Sequence, residues 1–176
     1  MARDAFRIEP ATPADIPRIV DILHANFRGV LQYVISAEQA EYMLAEFYTP
    51  DALQQEMDAG HVFVVARHDN EVRAFGAYGP TPDPTELKLQ KVFVDPPWHG
   101  KGYGTALVEY VAEQARREGC GTLMLTVNKL NTQAIAVYEK AAFEITESVT
   151  TDIGGGFCLD DYVMVRVLTG DAPAGP

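Results

Sequence analysis

The chain has 176 residues, 47% apolar and 22% charged, which is the make-up of an ordinary globular protein long enough to bury one substantial core. Its net charge of −11 argues against a nucleic-acid surface, since phosphate neutralisation needs clustered Lys and Arg, and is compatible with a cationic ligand. No apolar run approaches the roughly 18 residues of a membrane span, and no apolar h-region opens the charged N-terminus MARDAFRIEP.

Phe6 to Glu9 reads as a short extended piece. Thr12 then caps a helix with Pro13 in its first position, and Ile16, Ile19, Val20 and Leu23 recur at helical spacing. Ser36 opens a second helix in SAEQAEYMLAEF, and Thr49 with Pro50 opens a third that stops at Gly60. The period then changes. HVFVVARHDNEVRAFGAYG carries two β-branched and aromatic runs about Asp69-Asn70, a hairpin signal. LKLQKVFV alternates as a strand and ends at DPPWHG. After HGKGYG, Gly104, Leu107, Val108, Val111 and Ala115 form one face of a long helix closed by Gly119. GTLMLTVN is a short internal strand, NTQAIAVYEKAAF a helix capped by Asn131, and EITESVTT and DDYVMVRVL the last two strands. Residues 169–176, TGDAPAGP, read as a disordered tail behind a single mixed α/β domain over residues 1–168.

Cys120 and Cys158 lie far apart, and neither they nor the four histidines show metal-ligand spacing, so no metal is expected and both thiols read as reduced and cytoplasmic. HGKGYG needs another explanation. Glycine loses much backbone entropy on ordering, so three in six positions give the backbone itself a task. A strand entering a glycine turn and then a helix aims several N–H groups one way, with the positive end of the helix dipole behind them. That arrangement grips phosphate, with Lys101 adding charge, although a tight helix start can use glycine for packing alone. A Walker loop is ruled out because Gly102 follows Lys101, and the glycine spacing differs from the dinucleotide fingerprint.

Together these residues resemble the GNAT superfamily of acetyl-CoA-dependent N-acetyltransferases. The family loop reads Gln/Arg-x-x-Gly-x-Gly/Ala, and His99-Gly100-Lys101-Gly102-Tyr103-Gly104 matches all but its first position. NKLNTQAIAVYEKAAF sits where the family places its second CoA-contacting segment, and the likeness runs from about Phe6 to Leu168. Within the superfamily, the N-terminal NF, the EYMLAEFYTPDAL stretch and the final GGGFCLDDYVM are similar to PaiA-type spermine/spermidine acetyltransferases.

The resemblance implies a bent mixed sheet of about six to seven strands with helices on both faces, whose fourth and fifth strands splay apart. Acetyl-CoA would lie along the backbone of Val92, Phe93 and Val94. Its diphosphate would rest on His99, Gly100, Lys101, Gly102, Tyr103, Gly104 and Thr105, with Asn131 and Lys140 adding contacts. Helix capping explains Asn131 equally well, and Lys140 can equally be a solvated helix lysine. By the same resemblance Tyr138 is the acid that protonates the leaving thiolate; a core tyrosine on an apolar helix face is the alternative.

The chemistry expected is attack of a neutral amine on a thioester, with Val94 N–H polarising the carbonyl. Only on the order of one alkylamine in a thousand is neutral at pH 7, so the site must favour the free base. Glu86 is assigned as that base, while Glu41, Glu46, Asp160 and Asp161 could instead gather round a cationic substrate. In the polyamine enzymes Glu stands where this chain has Lys88 and Gln90. The favoured acceptor is a small primary amine, polyamine first and amino acid or amino-antibiotic next. Alternatives are a protein or peptide acceptor and a non-catalytic acyl-CoA-binding module, and a homodimer is a further expectation.

Overall fold

The computed structural model describes residues 5–168, so the tail expected to be disordered lies outside the described residues. Along them run β1 (Arg7–Pro10), α1 (Ile16–Arg28), α2 (Ala37–Phe47), α3 (Pro50–Asp58), β2 (Val62–His68), β3 (Glu71–Pro80), β4 (Glu86–Val94), α4 (Tyr103–Arg117), β5 (Thr122–Asn128), α5 (Thr132–Lys140), β6 (Glu144–Gly154) and β7 (Phe157–Val167). The seven strands form one mixed sheet in the order β1-β2-β3-β4-β5-β7-β6, with β4 and β5 parallel. This is the α/β class expected. No described helix is long and apolar enough to cross a membrane.

Two compact units divide the chain. The first holds the residues up to Ala77 with Lys91–Leu107. Thr12 marks its first helical start as expected: its N–H donates to Asp15 Oδ2 at 2.9 Å, and a short 3-10 turn over Pro13–Asp15 leads into α1. The capping side chains of Ser36 and Thr49 accept from Gln39 and Ala52 N–H at 3.1 and 3.2 Å. The predicted hairpin joins β2 to β3 with Asp69 and Asn70 both left-handed, at φ of 51° and 64°, as a twist-matched two-residue turn requires. Ile19, Ile22, Leu23, Leu53, Val64 and Phe75 are fully buried in this unit, each worth about 1.5–3 kcal/mol in area terms. Phe63 and Phe93 flank Phe75, with ring centroids 6.4 and 5.7 Å away.

The second unit holds Tyr78–Gln90 and Val108 onward. Leu123, Leu125 and Val127 alternate inward along β5, and Met164 on β7 is fully buried. β5 is internal, as its apolar composition suggests, lying between β4 and β7. The last two strands extend beyond the segments read from the sequence. They form a hairpin turned by Gly154, Gly155 and Gly156, all with positive φ, and β6 is a mostly exposed edge of 11 residues.

Candidate functional site

Within the first unit, three observations meet at the end of β4. The first is the direction of the backbone. Asp95 N–H donates to Arg73 O on β3 at 2.8 Å. Successive strand residues turn their amide groups to alternate sides, so Val92 and Val94 point theirs away from β3. On that other side the β4–β5 ladder has only three pairs and ends at Lys88↔Met124. The Val94 carbonyl is nonetheless held: Asn26 Nδ2 donates to it at 2.9 Å and His99 Nε2 lies 2.7 Å from it. By the same alternation the Val94 N–H faces the side on which, among the described residues, the β4–β5 pairs have already ended.

The second observation is the loop. Gly100 and Gly102 have φ of 74° and 89°, a region that suits glycine, and a Cβ on either would meet nothing within 4 Å. The third is the start of α4. Its first turn closes with Ala106 N–H on Gly102 O at 3.0 Å. Ahead of that bond, among the described residues, the N–H groups of Lys101, Gly102, Gly104 and Thr105 donate to no protein acceptor, as helix starts dictate. Free amides and a helix dipole give this cradle the donors and the field that suit an anion.

Side chains define the cradle further. Tyr103 turns inward, 3% exposed, stacked on Phe6 at 4.2 Å with its hydroxyl 3.0 Å from His68 Nδ1. Any ligand contact it makes is therefore through its backbone. The Lys101 ammonium rests 4.5 Å from the centre of the Trp98 ring, which the Arg73 guanidinium also approaches at 4.5 Å. Such contacts are worth about 0.5–1 kcal/mol at exposed sites, little enough for a phosphate to draw the lysine away.

Most of the remaining sequence-predicted residues belong to the second unit. Asn131 caps α5, its Oδ1 accepting from Ala134 N–H at 3.2 Å, while Lys140 is exposed in the last turn. Tyr138 packs its ring edge-on to Phe143 at 5.8 Å. Part of this side chain still meets solvent, yet burial pushes the phenol pKa up to about 12. The hydroxyl stays protonated at neutral pH and has no hydrogen-bond partner among the described residues. Glu86 starts β4 and accepts from Thr122 Oγ1 at 3.4 Å, inside the closed three-pair stretch of the ladder. Glu41 is engaged by Arg28 in the first unit, at 2.8 and 3.0 Å.

The Acetyltransferase (GNAT) family model matches residues 21–143. The chain belongs to the GNAT family. An uncharacterized N-acetyltransferase of Mycobacterium tuberculosis is 32% identical over 111 residues, 63% of this chain and 70% of that protein. Streptothricin acetyltransferase of Streptomyces lavendulae is 30% identical over 93 residues, 53% of this chain and 49% of that one. Among solved folds, the PaiA N-acetyltransferase of Thermoplasma acidophilum in complex with coenzyme A superposes with a TM-score of 0.79 at 17% identity, over 93% of this chain and 99% of that one. This GNAT chain is an N-acetyltransferase, and its likeness to the PaiA structure is one of fold.

Sequence reading passed over Asn26 as a working residue. It is 5% exposed and bonds Ile22 O and Val94 O, both at 2.9 Å, tying α1 to the end of β4. The signal was present: one amide on the apolar face of α1.

Proposed function

We propose that the protein transfers the acetyl group of acetyl-CoA to the primary amine of a small molecule by direct attack in a ternary complex. The observation that supports this best is the coincidence, within one unit, of a β4 edge turned away from β3 and a helix start with undonated amides. The thioester arm bonds along Val92 to Val94, and the diphosphate sits on the loop from His99 to Thr105.

The amine nitrogen attacks the thioester carbon, and Val94 N–H stabilises the oxyanion. The C–S bond then breaks, and the amine's surplus proton leaves to solvent through the base. The departing thiolate, with a cysteine-like pKa near 8.5, takes a hydrogen bond from Tyr138. A phenol at about 12 holds its proton firmly, so it acts chiefly as a donor that stabilises developing negative charge. His99, in place of Gln or Arg, serves the loop by bonding Val94 O.

The polyamine preference has only the PaiA likeness behind it, and Lys88 and Gln90 replace the carboxylates those enzymes carry there. The reading includes a cytoplasmic setting and a homodimer paired through the β6 edge. Free-thiol detection of CoA release over polyamines, amino acids, aminoglycosides and peptides is the experiment. Acetyl-CoA-dependent release with a small amine is the expected result. Release only with peptides would move the acceptor to protein, and acetyl-CoA binding without release would leave a binding module.

A further inference from the structure

Among the described residues of the second unit, Asp161 and Lys88 are charged side chains drawn at least partly out of water without an ion pair. Asp161 on β7 is 8% exposed, and among the described residues its carboxylate has no hydrogen bond and no ion pair. Lys88 on β4 is half-buried and, among the same residues, has neither as well. Lys129 is bonded to Asp160 at 2.8 Å and acts on Asp161 only through space.

Strand register puts the two on one face. Lys88 pairs with Met124, Met124 with Val165, and Asn128 with Asp161. Met124, Thr126 and Asn128 share one side of β5 by alternation, so Lys88 and Asp161 stand on that side. The buried Leu123, Leu125 and Val127 occupy the other. Lys88 is near enough to act on the carboxyl. Burial raises the Asp161 pKa most and Asp160 adds to the rise, while Lys88 and Lys129 pull it down. A desolvated anion without an ion pair is costly, and a ligand that answers it would relieve that cost.

We propose that Asp161 and Lys88 form the acceptor subsite for a dipolar amine, Asp161 holding its ammonium group and Lys88 an anionic group of the same molecule, as in an amino acid. The proposal rests on the acetyltransferase reading and names its substrate class. A polyamine brings a second positive charge towards Lys88, whereas an amino acid answers both side chains.

The test compares CoA release from matched pairs: lysine against cadaverine, γ-aminobutyrate against propylamine, phenylalanine against phenethylamine, with spermidine alongside. Wild-type protein is expected to favour the amino acid of at least one pair by about tenfold or more in kcat/KM, the worth of one charge-assisted contact. Lys88→Ala brings that ratio to about one, Lys88→Glu inverts it, and Asp161→Asn raises KM for both members. Preference for the plain amine in every pair, turnover of none, or a ratio that ignores Lys88 overturns the proposal. Should Asp161→Asn fail to fold, the Lys88 ratios decide alone. Acetyl-CoA binding, followed separately by calorimetry, distinguishes failure of this subsite from failure of the acetyltransferase reading.

Discussion

Ala142 holds a φ of 67° at the end of α5, where a helix usually closes on glycine. The residue holds this left-handed geometry despite carrying a Cβ. Ala142→Gly is expected to stabilise the fold by about 1 kcal/mol, read from the urea midpoint at unchanged slope. Tyr138→Phe removes a donor without emptying the ring's place against Phe143, so turnover should fall about 100-fold or more while acetyl-CoA affinity holds. Unchanged turnover would return Tyr138 to the core. Asp161 gives a pH signature. Its folded pKa lies above the ordinary 3.8, so its stabilising effect is present below that value and is lost as pH rises through the folded pKa. Asp161→Asn should therefore be more stable than wild type at pH 7, with the advantage shrinking as the pH falls towards 3.8.

β4 is the element on which most depends, and its two edges differ. One is paired with β3; the other loses its pairing with β5 after Lys88. Alternation in LKLQKVFV revealed the strand, but the length of a parallel ladder depends on pairing with a segment more than thirty residues away, which no local pattern encodes. The same limit hid the shared face of Lys88 and Asp161. Caps and turns were legible because their chemistry is local: Ser36, Thr49, Asn131 and the Asp69-Asn70 turn all act as their residue types require. Asn26 links α1 to this strand. Asn26→Ala should cost about 1–3 kcal/mol, because it strips the Ile22 and Val94 carbonyls of a buried donor. Acetyl-CoA affinity should fall with it, and a variant that bound as wild type would show that the Val94 carbonyl needs no anchor.

For the whole molecule, length, charge and the change of hydrophobic period were enough to give an α/β class, and one six-residue motif narrowed it to a family. What stayed out of reach were relations between chain-distant residues, including the extent of the β6–β7 hairpin and the company Asp161 keeps. The central claim is that the glycine loop and the β4 edge hold a CoA thioester. Calorimetric titration of acetyl-CoA into wild-type, Gly102→Ala and Gly60→Ala protein tests it most directly. Both glycines are left-handed, at φ of 89° and 99°, with nothing within 4 Å of an added Cβ, so both variants carry similar backbone strain. Only Gly102 lies in the cradle. The expected result is saturable wild-type binding, preserved in Gly60→Ala and weakened about tenfold or more in Gly102→Ala, a change of about 1.4 kcal/mol. No binding heat from well-folded wild type, or equal affinity in the two variants, would contradict the claim.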